Sequence, residues 1–215
     1  ESINKLIETL KDNGLVNQNL FFEKFDVTTD SFNSFYIFVK EKFQNIDLII
    51  HSIAFAKKEH LRGRLLDADK KGFDIALEVS SFSLIKIIKQ FEEIINKDAS
   101  IITLTYQGSQ KAIPNYNIMG VAKAALEAEI KYLAKELGEN KTRINAISAG
   151  VVETTAAKAI KGYIDIVAES IKKSPMKRLV TKEEIANAAL FLCSDLSSGV
   201  TGEIIHVDCG FNVIG

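Results

Sequence analysis

The chain has 215 residues, 47% hydrophobic and 26% charged, and its 27 basic and 28 acidic residues leave a formal net charge of −1. That describes one ordinary globular domain over 1–215 and excludes partners held by bulk charge, both nucleic acid and anionic membrane. Cys193 and Cys209 form no C-x-x-C, and His51, His60 and His206 have no metal-ligand spacing, so a disulfide scaffold and a metal site are excluded and a reduced, cytoplasmic setting is expected. No apolar run reaches the roughly 20 residues of a membrane span, and the N-terminus has no secretory signature.

Ile3, Leu6, Ile7 and Leu10 share one helical face, which "DNG" ends. "NLFFEKFDV" (19–27) reads as a strand, and the Phe-rich period over 29–44 as a helix. "IDLIIHSIA" (46–54) is an apolar run suited to a strand buried on both faces. A helical period follows over 70–97, then a buried strand over 100–106 and a long Ala-rich helix over 115–137 that ends at Gly138. "RINAISAG" (143–150) is a strand. Thr181 and Glu184 form a capping box opening a helix to 194, in which Cys193 faces the core, and "EIIHVDCG" (203–210) is the last strand.

Alternating strand and helix predict an α/β fold, a doubly wound parallel sheet of Rossmann type in three α/β/α layers. Ligands of such sheets sit beyond the carboxyl ends of the strands. His51-Ser52-Ile53-Ala54, Thr105-Tyr106 and Ser148-Ala149-Gly150 all fall there.

"YQGSQKAIPNYNIMGVAK" (106–123) holds two tyrosines and a lysine. Tyr116 and Lys123 are seven residues apart, two helical turns with a drift of about 20°. Both therefore face one way, while Tyr106 lies at the tip of the preceding strand. A free tyrosine titrates near 10, and a neighbouring ammonium lowers that value. Lys123 thus tunes a tyrosine, holds a ribose, or does both; taken singly, the three residues read as helix-edge aromatics and a solvated charge.

"HSIAFA", "LTYQGSQKAIPNYNIMGVAKAALEA", "RINAISAG" and "FLCSDLSSGVTGEIIHVDCGF" resemble the bacterial enoyl-acyl-carrier-protein reductases, NADH-dependent members of the short-chain dehydrogenase/reductase superfamily. The resemblance runs the length of the chain. Its Tyr-x6-Lys spacing with a second upstream tyrosine is specific, since the wider superfamily uses Tyr-x3-Lys and position 119 here is Met.

The resemblance implies catalytic roles for Tyr106, Tyr116 and Lys123, with Lys123 on the cofactor ribose. It implies NADH contacts from Asp26, Val27, Ser52, Ile53, Ala54, Val152, Thr154 and Ala156. The acyl pocket would be lined by Ala56, Tyr106, Met119, Ala157, Ile160 and Tyr163, under a flap over 153–173. Plainer roles are open beside these: a strand-end cap for Ser52, helix N-caps for Asp26 and Thr154, and satisfied polar roles for His51 and His206.

The implied substrate is an enoyl chain on acyl carrier protein, and the implied assembly a homotetramer with Leu126, Ile130 and Leu133 as interface or core. Relatives commonly carry Pro where Val151 stands and Gly where Cys209 stands. The family's opening strand, glycine-rich turn, helix and second strand, about 40 residues, have no match here and are expected ahead of residue 1, leaving the fold N-terminally incomplete. Competing readings are a small-carbonyl reductase of the same superfamily, and a cofactor-free truncated homologue acting as an oligomer partner or an inert fragment.

Overall fold

The computed structural model describes residues 8, 14, 20–29, 31–154, 157 and 160–214. The helix expected around Ile3–Leu10 and the position of Ala156 fall outside them. The chain divides into two units, Glu1–Lys42 and Phe43–Gly215.

In the first unit, helix α1 (Ser31–Lys42) follows a turn built by Asp26. Asp26 Oδ1 accepts from the Thr28 amide at 2.9 Å and from its hydroxyl at 2.7 Å, and Ser31 Oγ accepts from the Asp26 amide at 2.9 Å. The strand expected over 19–27 does not form: 20–26 carry no ladder, because a strand exists only where a neighbour's backbone accepts it and no described residue offers one. The apolar residues that suggested it pack on the helix instead. Phe25 stacks on Phe35 with ring centroids 3.9 Å apart, and Phe21 meets Phe38 edge-on.

The second unit holds a parallel sheet of β1 (Ile46–His51), β2 (Ile95–Thr105), β3 (Arg143–Ala149) and β4 (Ile204–Val207), in that order. Between them run α2 (Lys70–Leu77), α3 (Ser83–Phe91), α4 (Asn117–Leu137), α5 (Tyr163–Lys173) and α6 (Lys182–Cys193). Side chains alternate across a strand. Ile101, Ile144 and Ala146 therefore pack with Leu84 and Ile88 of α3 and Leu126, Ile130 and Leu133 of α4. Ile102 and Ile147 pack on the other face with Leu192 of α6. This is the expected three-layer α/β/α arrangement, and Leu126, Ile130 and Leu133 are core, not interface.

Two element boundaries differ from expectation. The helical period over 70–97 breaks into α2, a π turn (Glu78–Phe82), α3 and a 3-10 turn (Glu92–Ile94), and β2 begins at Ile95, paired with Ile46 ahead of a register shift. The apolar residues near 95 serve a strand end, which periodicity alone does not separate from a helix. Nor is β1 buried on both faces. It pairs with β2 alone among the described residues, and Leu48 and Ile50 are exposed. Helix α6 has its capping box as predicted: Thr181 Oγ1 accepts from the Glu184 amide, and the Glu184 carboxylate accepts from the Thr181 amide.

Toward the strand carboxyl ends the α4 face turns from aliphatic to polar. Thr103 and Thr105 succeed Ile101 on β2, Ser148 lies beside Thr105, and His206 beside Ser148. His51, next to Thr103, has both ring nitrogens hydrogen-bonded: Nδ1 with Thr103 Oγ1 at 2.9 Å and Nε2 with Ser83 Oγ at 2.8 Å. The expected satisfied role thus holds for His51. His206 Nε2, in contrast, is buried without a hydrogen-bond partner among the described residues.

Burial, aided by the charge of Lys123, pushes the His51 imidazole down from 6.5 to about 4. Between those values the unfolded chain binds the extra proton. The contribution of His51 is therefore complete above the unfolded value and lost as pH falls toward the folded one, roughly 3 kcal/mol in all. Urea unfolding from pH 7 to 4.5 is expected to show this fall in the wild type, and His51→Gln to remove most of it. Equal pH slopes in the two proteins would contradict the assignment.

Candidate active site

The sequence around the tyrosines dictates an abrupt path. Tyr106 follows the end of β2 in extended backbone, and a 3-10 turn (Gln107–Ser109) reverses the chain. A short loop then delivers Tyr116 to the N-cap of α4 in helical conformation. Asn115 and Asn117, either side of it, have φ of 63° and 38°. Asparagine tolerates this left-handed region better than most residues. Their side chains anchor the bend: Asn115 Nδ2 donates to Lys161 O at 2.9 Å, and Asn117 Nδ2 to Gly63 O at 3.3 Å.

The two phenol rings meet edge to face, centroids 5.0 Å apart at 72°. Lys123 lies two turns along α4, buried, and its ammonium donates to Leu104 O at 2.8 Å. Burial lowers its pKa to about 8, against the opposing pull of the Glu127 carboxylate. Burial also pushes Tyr106 up to about 12. Tyr116 is raised further, by burial first and then by the charges of Tyr106 and Glu127. Burial thus sets both phenols, and Lys123 lowers neither. At neutral pH the site holds two neutral phenols and a charged lysine.

The remaining positions divide by element. Ser52 and Ala54, beyond β1, are exposed, and Ile53 is half-buried. Ser80, in the π turn, accepts from the Phe55 amide at 2.9 Å and donates to Phe55 O at 3.1 Å; its oxygen also lies 3.6 Å from Met119 Sδ. Ser80 so brings half-buried Ala56 and buried Met119 to one place. Val152 and Thr154 follow β3, and Thr154 Oγ1 accepts from the Ala157 amide at 3.0 Å, the capping role considered for it. Ile160 and Tyr163 continue into α5, joined by Tyr163 N to Ile160 O. Through Lys161 this segment is tied to the loop before Tyr116. Asp26 and Val27 belong to the first unit, where Asp26 holds its turn and Val27 is buried.

Next to Tyr106 a small cleft is lined by Gln107, Gly150, Val151, Ser170 and Arg178. Gln107 Oε1 is buried there without a hydrogen-bond partner among the described residues. No cluster of metal ligands exists among the described residues, and none of their helices is long and apolar enough to cross a membrane.

Sequence reasoning missed Ser80, Glu127 and the glycine contact beneath the tyrosines. A Cβ on Gly120 would lie 2.6 Å from Gly108 O, and one on Gly108 would strike the Tyr116 ring. The signals were present in part: Asn on both sides of Tyr116, and Glu127 one turn beyond Lys123 on the same face. The serines of the π turn give no such signal.

The family described as enoyl-(acyl carrier protein) reductase matches residues 3–212. The NADH-dependent enoyl-acyl-carrier-protein reductase of Rickettsia prowazekii is 45% identical over 196 residues, 91% of this chain and 75% of that protein. The Nostoc enzyme of the same name is 39% identical over 215 residues, 100% of this chain and 81% of that one. Among solved structures, the Bacillus cereus reductase with NADP+ and an indole naphthyridinone superposes with a TM-score of 0.91 at 40% identity, covering 97% of this chain and 81% of that one. The Anaplasma phagocytophilum reductase in complex with NAD gives 0.89 at 36%, covering 100% and 79%. The fold and the matched relatives define a reductase of the doubly wound α/β class. Within it, this chain belongs to the enoyl-acyl-carrier-protein reductase family.

Gly120→Ala gains about 1 kcal/mol of helix propensity but drives a methyl into a backbone oxygen, an overpacking cost of about 1–3 kcal/mol. The expected net result is a lower denaturation midpoint, with amide shifts over 106–109 as the turn moves. A stabilised variant with unchanged shifts would contradict the contact.

Proposed function

We propose that this chain reduces the carbon–carbon double bond of trans-2-enoyl thioesters carried on acyl carrier protein, using NADH, in fatty-acid elongation. The observation that carries the reading is the pair of neutral phenols held edge to face at the strand ends, with Lys123 buried two turns along α4 and bonded to Leu104 O. The residues present fit a nicotinamide cofactor: the β1 end is open at Ser52 and Ala54, and Lys123 offers an ammonium suited to ribose hydroxyls. When bound, the cofactor supplies the hydride that the β-carbon receives.

The chain supplies placement and field. Tyr116 donates its O–H to the thioester oxygen as negative charge gathers there, and its raised pKa keeps that proton in place. The enolate then takes a proton at its α-carbon from solvent, since the Tyr116 proton stays in place. Tyr106 forms the opposite wall of the acyl site, with Ala56, Met119, Ala157, Ile160 and Tyr163. Ser52, Ile53, Ala54, Val152 and Thr154 face the cofactor. Residues 153–173 act as a flap over the substrate, tied to the Tyr116 loop by Asn115. We infer that the working form is a cytoplasmic homotetramer, in which exposed Tyr132 on α4 and Leu190 on α6 are surfaces that a partner copy would cover.

The test is loss of NADH absorbance with a trans-2-enoyl thioester. Tyr116→Phe is expected to lower kcat about 100-fold, the usual loss for one donor to a developing oxyanion, while NADH binding by fluorescence stays unchanged. A phenylalanine variant with wild-type kcat would overturn the role, and turnover of simple ketones without enoyl reduction would favour a carbonyl reductase.

A further inference from the structure

Glu127 is a buried carboxylate that the reaction above does not use. It lies one turn beyond Lys123 on α4, with 8% of its surface exposed. Its Oε1 accepts from Thr105 Oγ1 at 2.7 Å and from Ser109 Oγ. Its Oε2 accepts from Gln110 Nε2 at 3.4 Å. These donors are not scattered. Thr105 immediately precedes Tyr106, and Ser109 and Gln110 close the turn that follows it. One carboxylate thus grips both ends of the six-residue stretch, 105–110, that carries Tyr106.

A second point of attachment lies at the other side of the same turn. Gly108 sits under the Tyr116 ring, with its carbonyl against Gly120 of α4. The turn is also closed by its own amides, Ser109 N to Tyr106 O and Gln110 N to Gln107 O, both at 3.0 Å. With contacts on both sides, the backbone that carries Tyr106 is held in place, and its ring lies edge-on to Tyr116. A carboxylate suits the task because it accepts from several donors at once and its hydrogen bonds are stronger than those of a neutral acceptor. Burying it is costly unless its oxygens are satisfied, and here both are.

We propose that Glu127 is a positioning residue of the reductase: it clamps residues 105–110 onto α4 and thereby fixes Tyr106 against Tyr116 over the acyl site. The inference rests on the function proposed above for Tyr106 and Tyr116. It touches neither substrate nor cofactor and acts through the turn.

The test compares Glu127→Ala and Glu127→Gln with the wild type. Glutamine keeps one carbonyl oxygen for Thr105 and Ser109, whereas alanine removes every acceptor. Glu127→Ala is expected to lower kcat at least tenfold while the NADH dissociation constant stays within threefold, and Glu127→Gln to recover kcat to within about threefold of wild type. Independently of activity, amide exchange at Ser109 and Gln110 should quicken at least tenfold in Glu127→Ala, with Ile147 in the sheet unchanged. If the alanine variant does not fold, Thr105→Val strips one donor from the carboxylate and carries the same exchange test.

Wild-type kcat in Glu127→Ala, an equal loss of kcat and NADH affinity, failure of glutamine to rescue, or unaltered exchange at Ser109 and Gln110 would each overturn the proposal. Should the wild type reduce no enoyl thioester, the functional reading fails, while the exchange data still decide whether the clamp exists.

Discussion

Lys123 sets the terms for this site. Its ammonium is taken from water at a cost of several kcal/mol for an unpaired ion, and the structure offsets that cost with two groups: the Leu104 carbonyl at 2.8 Å and the negative charge of Glu127. Both compensations run between α4 and the end of β2. Lys123 binds the residue before Thr105, and Glu127 binds Thr105 itself. The lysine thus requires the helix and the strand end to be locked together. Once they are, Tyr106 at the strand tip and Tyr116 at the helix start are forced into contact.

The same burial decides the chemistry. A phenol shut away from water resists ionisation more strongly than an ammonium nearby promotes it. Tyr106 and Tyr116 therefore stay protonated and offer hydrogen bonds, the state required to steady negative charge on a thioester oxygen. His51 follows the same rule in the opposite sense, remaining neutral with both nitrogens hydrogen-bonded. Desolvation thus selects the neutral phenols and the neutral imidazole, while Lys123 stays charged at neutral pH in opposition to it, supported by Glu127.

Much of this was legible in the sequence because it depends on local periodicity. Alternating apolar strands and helices gave the layers, Thr181 and Glu184 the start of α6, and the seven-residue interval the common face of Tyr116 and Lys123. What was not legible depends on neighbours. Residues 20–27 read as a strand, but pairing is a property of two segments. The break of 70–97 at the π turn follows from serine hydroxyls finding partners such as Val79 O and Phe55 O, which no period encodes. Leu126, Ile130 and Leu133 could face either a core or a partner until α4 was laid on the sheet. The direction of the tyrosine shifts needed burial, which spacing does not supply. Cys209 gains an account as well: its φ of 57° lies where glycine carries no penalty, consistent with the glycine common in relatives.

The most direct measurement follows the tyrosine ring carbons by NMR through an alkaline titration. The reference is free tyrosine in the same buffer, which ionises near 10. The account predicts that the Tyr106 and Tyr116 resonances stay flat while the free amino acid titrates, with Tyr106 moving only toward pH 12. If either ionised at or below the pH of free tyrosine, the site would not be built to hold neutral donors, and the central claim would fail.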